Sequence, residues 1–224
     1  DAEWAGKQLA GLQPPTPDLA AAAAGIGHVN VFPERDGCIR RAPLVIDQGG
    51  VPYISLIGSL LNAAVNPQRK PISVRLGDSV QFGDFRVPID GSGETLISYS
   101  RDVGPGPNPP FQRYLYHSVL LREIPRKAIQ DKIVLVGFGA TGMADIHPTP
   151  LSAGALGVEV NAHALSGLLG RSFLAVADWP LRLALVLLWG ALASFAAARL
   201  PAAAALGAVI ALPVLAWTLS WLTL

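Results

Sequence analysis

The sequence has a single cysteine, Cys38, in 224 residues, so no disulfide bond can form within the chain. Cys38 lies in an apolar run, and we therefore expect its small side chain to be buried. With so little cysteine, the sequence does not reveal whether the surrounding compartment is oxidising or reducing.

An excess of charge is missing as well. The 17 Lys and Arg residues nearly balance the 16 Asp and Glu residues, which leaves a formal net charge of +1. Proteins that bind a phosphate backbone concentrate basic residues on one face, whereas the basic residues here are scattered among the acidic ones. The composition predicts no nucleic-acid partner.

Motifs for nucleophilic catalysis are also lacking. His117 and Ser118 are adjacent in the chain, which does not make their side chains face each other, and no nucleophile-elbow pattern occurs. The opening residues, 1–12, form neither a signal peptide nor a membrane span. We expect the targeting segment of the complete protein to precede this chain.

Charge almost disappears in the last part of the chain. Residues 183–198 are uncharged and lie between Arg182 and Arg199, and residues 200–224 are uncharged throughout. About 20 apolar residues cross a hydrocarbon core as a helix, so the pattern predicts two membrane helices in residues 179–224, after a folded domain in residues 1–178. A buried helical pair is the alternative. The local arginine count gives no support to an outside domain, although long domains cross membranes regardless of such charges.

The first 178 residues show the pattern of a mixed sheet with flanking helices, that is, an α/β domain. Helices are predicted from Asp18 to Gly25 and over 53–65 and 158–169, the last ending at Gly170, with an irregular loop over 104–110. The predicted strands are 28–32, 38–46, 72–76, 80–82, 85–87, 96–100 and a central one, 132–136.

A glycine motif directly follows the predicted central strand. Gly137, Gly139 and Gly142 match the spacing of the dinucleotide-binding fingerprint. That fingerprint needs a helix opening at the third glycine, and the prolines of the His147–Pro150 run leave almost no room for one. A glycine-rich turn is the favoured interpretation, and nucleotide binding is the alternative.

Carboxylate and imidazole side chains cluster in sequence further on. Asp145 and His147 are two apart, and Glu159 and His163 are four apart on one predicted helix. Such ligands can hold a divalent cation, but no recognised metal-binding spacing joins the two pairs. We therefore predict capping and surface hydrogen bonding here, and no metal site.

Asp36, Arg40 and Arg41 form another charged group. Alternation along a strand predicts that the two arginines point to opposite faces, with Asp36 in the preceding turn. One arginine would then form an inward salt bridge while the other meets solvent or ligand. A structural role is the more common one for such a residue.

Several ordered motifs occur along the first 178 residues. They are Gly27–Pro33, Asp36–Gly37, Arg40–Leu44, Lys132–Gly137, Asp145, Thr149–Leu151, Gly157–Val160, Ala164–Leu165 and Leu168–Leu169. Together they resemble the second type of CHASE domain, the cyclase/histidine-kinase-associated sensory extracellular module. The resemblance covers most of residues 25–180 and departs from the family pattern at Asn161 and His163, where His and Asn are expected in the opposite order.

The resemblance implies a periplasmic or extracellular ligand-sensing domain in a plasma-membrane receptor. Such domains usually follow one membrane anchor and precede about three spans, and the cytoplasmic partner is commonly an adenylate or diguanylate cyclase or a protein kinase. The chain would then be a fragment that lacks its anchor and its output domain. A homodimer in contact with membrane lipid is expected, with no catalytic residue and no cofactor in the sensory part.

We predict that a small-molecule stimulus binds near the loops after Phe32, Ser100 and Gly137. The alternative function is a membrane-tethered nucleotide-binding enzyme that uses the Gly137 loop. The candidate ligand-binding residues are Asn30, Asp36, Arg40, Tyr99, Asp145, Thr149 and Glu159.

Overall fold

A computed structural model of the chain describes residues 11, 13–99, 111–139, 145–176, 179–199, 201 and 207. The chain divides into two units, Asp1–Leu174 and Ala175–Leu224. The elements are α1 (Pro17–Ala22), β1 (Arg41–Pro43), β2 (Val45–Gln48), β3 (Val51–Ile54), α2 (Leu56–Val65), β4 (Ile72–Arg75), β5 (Ser79–Phe82), β6 (Phe85–Pro88), β7 (Glu94–Leu96), α3 (Tyr116–Leu120), α4 (Arg126–Ile129), β8 (Ile146–Thr149), β9 (Ser152–Leu156), α5 (Gly157–Leu169) and α6 (Trp179–Arg199).

The strands form small antiparallel sheets. β4, β5 and β6 make a three-stranded meander, and the pairs are β1 with β7, β2 with β3, and β8 with β9. The α/β class is confirmed, but the predicted mixed sheet is not formed within the described residues. The parallel pairing seen among the described residues is an isolated bridge between His28 and Ser55.

One apolar core lies between these sheets and two helices. Helix α2 packs on α5, and both contact the strands through their buried faces. Apolar burial of this kind is the main favourable contribution to folding. The core residues include Ile39, Leu44, Val45, Ile57, Leu61, Val80, Phe82, Val87, Ile97, Val160, Ala164, Leu165 and Leu168.

Turn chemistry joins β1, β2 and β7 at one corner. Gly93 has a φ of +78°, which favours glycine, and an added Cβ would stand 2.6 Å from the Val45 carbonyl oxygen. The Gly93 carbonyl accepts hydrogen bonds from the backbone N–H groups of Leu44 and Val45. This corner breaks the predicted strand 38–46 at Leu44, which gives two short strands in place of one.

Local patterns located the β-meander and helix α5 correctly. The predicted strands 72–76, 80–82 and 85–87 are β4 to β6, and each differs from its prediction by one residue at one end. Helix α5 ends at Gly170, as predicted. Both cases depend on neighbouring residues alone, because glycine turns and a C-terminal glycine act over a few positions.

The other helix boundaries differ from the predictions. Helix α2 begins after Ser55, whose hydroxyl accepts a hydrogen bond from the Gly58 N–H, and residues 51–54 form β3 instead. Helix α1 begins at Pro17 and ends at Ala22, so Asp18 lies in its first turn and is not its cap. The strand predicted at 96–100 is wrong beyond its first residue: Leu96 is the last residue of β7, and the described residues 97–99 form no strand.

Two predicted strands are wrong. Residues 28–32 form a single bridge, and residues 132–136 form no strand, with Val134 54% and Val136 75% exposed. A strand is held by a ladder of hydrogen bonds to a neighbour, and a β-rich run does not supply that neighbour by itself. The predicted loop 104–110 and the Ser100 end of its strand lie outside the described residues.

The second unit contains helix α6, which is 21 residues long. It includes the first predicted membrane segment, and large apolar side chains on it are exposed, among them Leu181, Leu185 and Leu188. Over the described part of the chain, no helix combines the length and the apolarity needed to cross a bilayer. Nearly all of the second predicted segment, 200–224, lies outside the described residues.

Truncating a core side chain tests this architecture. Leu61 is fully buried in α2, so Leu61→Ala should lower the free energy of unfolding by about 2–5 kcal/mol, through lost burial and a cavity. The matched control is Leu19→Ala in α1, where the side chain is 67% exposed and the change should stay below about 0.5 kcal/mol. Urea unfolding measures both, and equal effects would contradict the assigned core.

Candidate functional site

The turn that precedes β1 holds the side chain of Arg40 by ion pairs with Glu34 and Asp36. Gly37, with φ +81°, closes the turn, and the Asp36 carboxylate accepts a hydrogen bond of 3.1 Å from the Cys38 N–H. Arg40 donates to both Asp36 oxygens, at 2.9 and 2.7 Å, and to Glu34 at 2.9 Å. The hydrogen bonds from Arg40 lower the pKa of Asp36 to about 2, and those to both acids raise the pKa of Arg40.

Arg41 joins the same network, contrary to the predicted opposite faces. Its Nε lies 3.4 Å from Glu34, and its Nη1 donates to Asp90 at 2.8 Å. The reason is that Glu34, which the sequence analysis did not single out, reaches both arginines from the turn. Three carboxylates therefore neutralise two guanidinium groups, and an anionic ligand would have to displace them. We expect this charge network to support structure.

Tyr99 is half-buried and connects three segments of the chain. Its hydroxyl donates to the Ile39 carbonyl at 2.9 Å, and the Ile39 N–H donates to the Pro148 carbonyl at 2.8 Å. Burial, assisted by the nearby Cys38, raises the pKa of Tyr99. This junction brings the chain before Arg40 close to Tyr99 and to β8, which carries Thr149.

Thr149 closes the β8–β9 hairpin. The Thr149 side chain is buried. Its hydroxyl donates a hydrogen bond of 3.1 Å to the Ser152 carbonyl and accepts one of 3.0 Å from the Ser152 N–H. A hydroxyl that already makes both bonds has little capacity left for a ligand. The structure therefore assigns Thr149 a turn-stabilising role.

Helix α5 presents Glu159 and His163 toward residues 111–113. Glu159 is mostly buried, and its Oε2 accepts a hydrogen bond of 3.2 Å from the Leu156 N–H, which stabilises the start of the helix. Its Oε1 lies 2.5 Å from Nη2 of Arg113, but the angle is not that of a hydrogen bond. The two side chains therefore form an ion pair.

His163 is 3% exposed and lies between aromatic rings. The Phe111 ring centroid is 4.8 Å away, edge to face, and the Tyr99 ring centroid is 5.3 Å away. Burial lowers the pKa of His163, and the Glu159 charge opposes that shift. Two candidate ligand residues therefore act on His163, Tyr99 through a ring contact and Glu159 through its charge one turn earlier on α5.

Asp145 and His147 form a separate pair beside β8. The Asp145 Oδ1 and the His147 Nε2 are 2.7 Å apart, without hydrogen-bond geometry, and the Asp145 carbonyl accepts from the Gly157 N–H at 2.8 Å. Among the described residues, no group of three or more histidine, cysteine, aspartate or glutamate side chains is arranged to hold a metal ion. Within the described residues, Asp145 and His147 are therefore not joined with Glu159 and His163 in one metal-binding arrangement.

The remaining candidate, Asn30, is exposed and makes no side-chain hydrogen bond within the described part of the chain. The sequence analysis missed Phe111, Arg113 and Glu34 as partners of the site. Glu34 had a local signal, since it lies in the same turn as Asp36. Phe111 and Arg113 had none, because their partners on α5 are more than forty positions away along the chain.

Close packing accounts for one glycine of the proposed fingerprint, Gly137, where an added Cβ would stand 2.6 Å from the Val158 Cβ. At Gly139 the nearest atom, on Leu156, would be 3.4 Å away, an ordinary van der Waals contact that does not require glycine. Since residues 132–136 form no strand, the strand that the fingerprint requires before Gly137 is missing. Gly142 lies outside the described residues.

His28 is another mostly buried histidine of the domain. Its backbone bonds to Ile54 and Leu56 hold it beside the start of α2, at 3.0 and 2.8 Å. Neither ring nitrogen has a hydrogen-bond partner within the described residues. Burial lowers the pKa of His28 to about 4, so the ring is neutral near pH 7.

Comparisons with known proteins agree with the resemblance noted from the motifs. A family model described as the CHASE2 domain matches residues 5–196 of this chain. No curated protein and no solved structure matches it significantly. The family match covers well over half of the 224 residues.

Removing one hydroxyl tests the Tyr99 junction. Tyr99→Phe should lower the free energy of unfolding by about 1 kcal/mol, because the buried Ile39 carbonyl loses its donor. Tyr116→Phe is the matched control, since Tyr116 is 65% exposed and the substitution should have no measurable effect. If urea unfolding gave the same stability for both variants, the junction would not be structural.

Proposed function

This chain belongs to the CHASE2 domain family, the extracellular sensory domains of signalling receptors, and from that premise we propose how it receives and transmits a signal. The domain is sensory and not itself catalytic. In our proposal, a small-molecule stimulus acts at residues 111–113 and at Tyr99 and Glu159. Helix α5 then passes the change to the membrane helices and to a cytoplasmic cyclase or kinase.

The observation that carries this proposal is that α5 is held at both ends by different parts of the domain. Near its start, Glu159 and His163 contact Arg113, Phe111 and Tyr99. After its end, Arg171 and Phe173 contact Phe85 of β6. A rigid helix held in this way communicates a change at one end to the other.

The contact after α5 has defined geometry. The Arg171 guanidinium lies 4.7 Å from the Phe85 ring centroid, and the Phe173 ring meets Phe85 edge to face at 6.4 Å. Arg171 has a φ of +55°, and the Ser172 N–H closes the helix end by donating to Gly167 at 2.9 Å. A cation over an aromatic face contributes about 0.5–1 kcal/mol at exposed sites, so a modest stimulus is enough to shift this contact.

The connection to the membrane is supported by the sequence after Leu174. Residues 183–198 carry no charge and lie between two arginines, and they are helical in α6. We propose that this segment and 200–224 contact membrane lipid, with the sensory domain in the periplasm or outside the cell. Homodimer formation belongs to the same proposal, since dimers of membrane helices give two arrangements that a ligand can select.

The proposed location is tested by thiol labelling of the single-cysteine chain. In a Cys38→Ser background, Asp84→Cys places a thiol on a side chain that is 91% exposed. A membrane-impermeant maleimide should label it in cells whose inner membrane is intact, to the same extent as after lysis. The Cys38→Ser chain alone is the blank. Labelling only after lysis would contradict an extracytoplasmic domain.

The relay is tested by fusing the chain to an adenylate cyclase catalytic domain as reporter. Glu159→Gln removes the charge that pairs with Arg113 and should change basal cyclase activity by at least about fivefold. A flexible Gly/Ser insertion after Leu174 should abolish that change, because it separates α5 from α6 mechanically.

The matched control is the same insertion between Gly49 and Gly50, in an exposed turn of the β2–β3 hairpin. It should leave the effect of Glu159→Gln intact. If the effect survived the insertion after Leu174, or if Glu159→Gln left activity unchanged, α5 would not be the relay.

A further inference from the structure

The most unusual group in the domain is the buried imidazole of His163. It is 3% exposed, on the same helix face as Val160 and Ala164, which are also buried. Its closest ring neighbours are Phe111 and Tyr99, at 4.8 and 5.3 Å. Phe111 lies in no helix or strand. The packing of its segment on α5 therefore depends on whether the His163 ring is neutral or charged.

The buried, aromatic surroundings of His163 favour the neutral imidazole over the charged imidazolium. Removal of the ring from water disfavours the imidazolium and lowers the pKa of His163. The charged group that opposes this effect is Glu159, one turn earlier on α5. Glu159 is already engaged by Arg113 and by the Leu156 N–H, so its charge is only partly available to a second cation.

We propose that His163 is a proton-operated latch that holds residues 111–113 against α5 when it is neutral and releases them when it is protonated. Release exposes the imidazolium to water and frees Glu159 to pair with it in place of Arg113. The Tyr99 phenol is the other titratable group that faces the ring. The latch is therefore operated by a proton on His163, so that acidity regulates the same contacts on which the proposed small-molecule stimulus acts.

The direction of the effect follows from linkage. Above the ordinary histidine pKa of 6.5, the ring is neutral in both the closed and the released form, and the latch holds. As the pH falls below 6.5, the released form takes up a proton that the closed form resists, so the equilibrium moves toward release. Acidification thus loosens the start of α5, which is the end that receives the signal in the proposed relay.

As a signalling device the latch rests on the proposed relay, but its opening is a property of the domain alone. Hydrogen exchange of the purified full chain therefore tests the latch without any output domain. Exchange at residues 111–120 and 157–164, corrected for intrinsic rates, is compared at about pH 7.5 and about pH 5. We expect protection to fall at least about tenfold on acidification.

His163→Phe keeps a ring of similar shape that cannot be protonated, and it should hold the protection constant over this range. His28→Phe is the matched control, because it removes the other mostly buried ring of lowered pKa and should leave the loss at 111–120 unchanged. If His163→Phe does not fold, His163→Leu serves in the same comparison.

Protection that is independent of pH in the native chain would overturn the latch, as would a loss that persists in His163→Phe. A latch that opens in this assay while the cyclase fusion stays silent would instead refute the relay. The two ideas therefore fail separately.

Discussion

The packing of one helix on its neighbours is the constraint on which the rest of this domain depends. Helix α5 buries Val160, Ala164, Leu165 and Leu168 against α2 and the strands, and that fixes which residues its other positions can meet. Apolar burial is not directional, so it holds the helix in place without specifying a partner for Glu159 or His163. Those two side chains then give the packed helix its polar and titratable contacts.

The charged groups of the domain fall into two kinds. Glu34, Asp36 and Asp90 surround Arg40 and Arg41 at the surface, where every guanidinium has a carboxylate within 3.4 Å. Water weakens pairs as accessible as these, and salt screens them further. The Glu159 and Arg113 pair is different, because Glu159 is mostly buried and each partner comes from a different segment.

The proposed relay requires two states that are close in free energy, and the contacts at both ends of α5 fit that requirement. They consist of single aromatic, cationic and imidazole contacts at the margin of the apolar core, each worth little. In the proposed relay, a small stimulus shifts these contacts without unfolding the domain. This combination of a stable core and weakly held helix ends is consistent with membership of a family of extracellular sensory domains.

The sequence by itself determined the family, the α/β class, the β4–β6 meander and the helix that ends at Gly170. Motif order, glycine turns and a helical apolar face act over a few neighbouring residues, and such signals can be read directly. Only the tertiary structure decided that residues 132–136 form no strand and that Arg40 and Arg41 share Glu34. It also decided that His163 meets Phe111 and Tyr99. Strand pairing, charge sharing and ring contacts each need a partner from another part of the chain, and local pattern does not identify that partner.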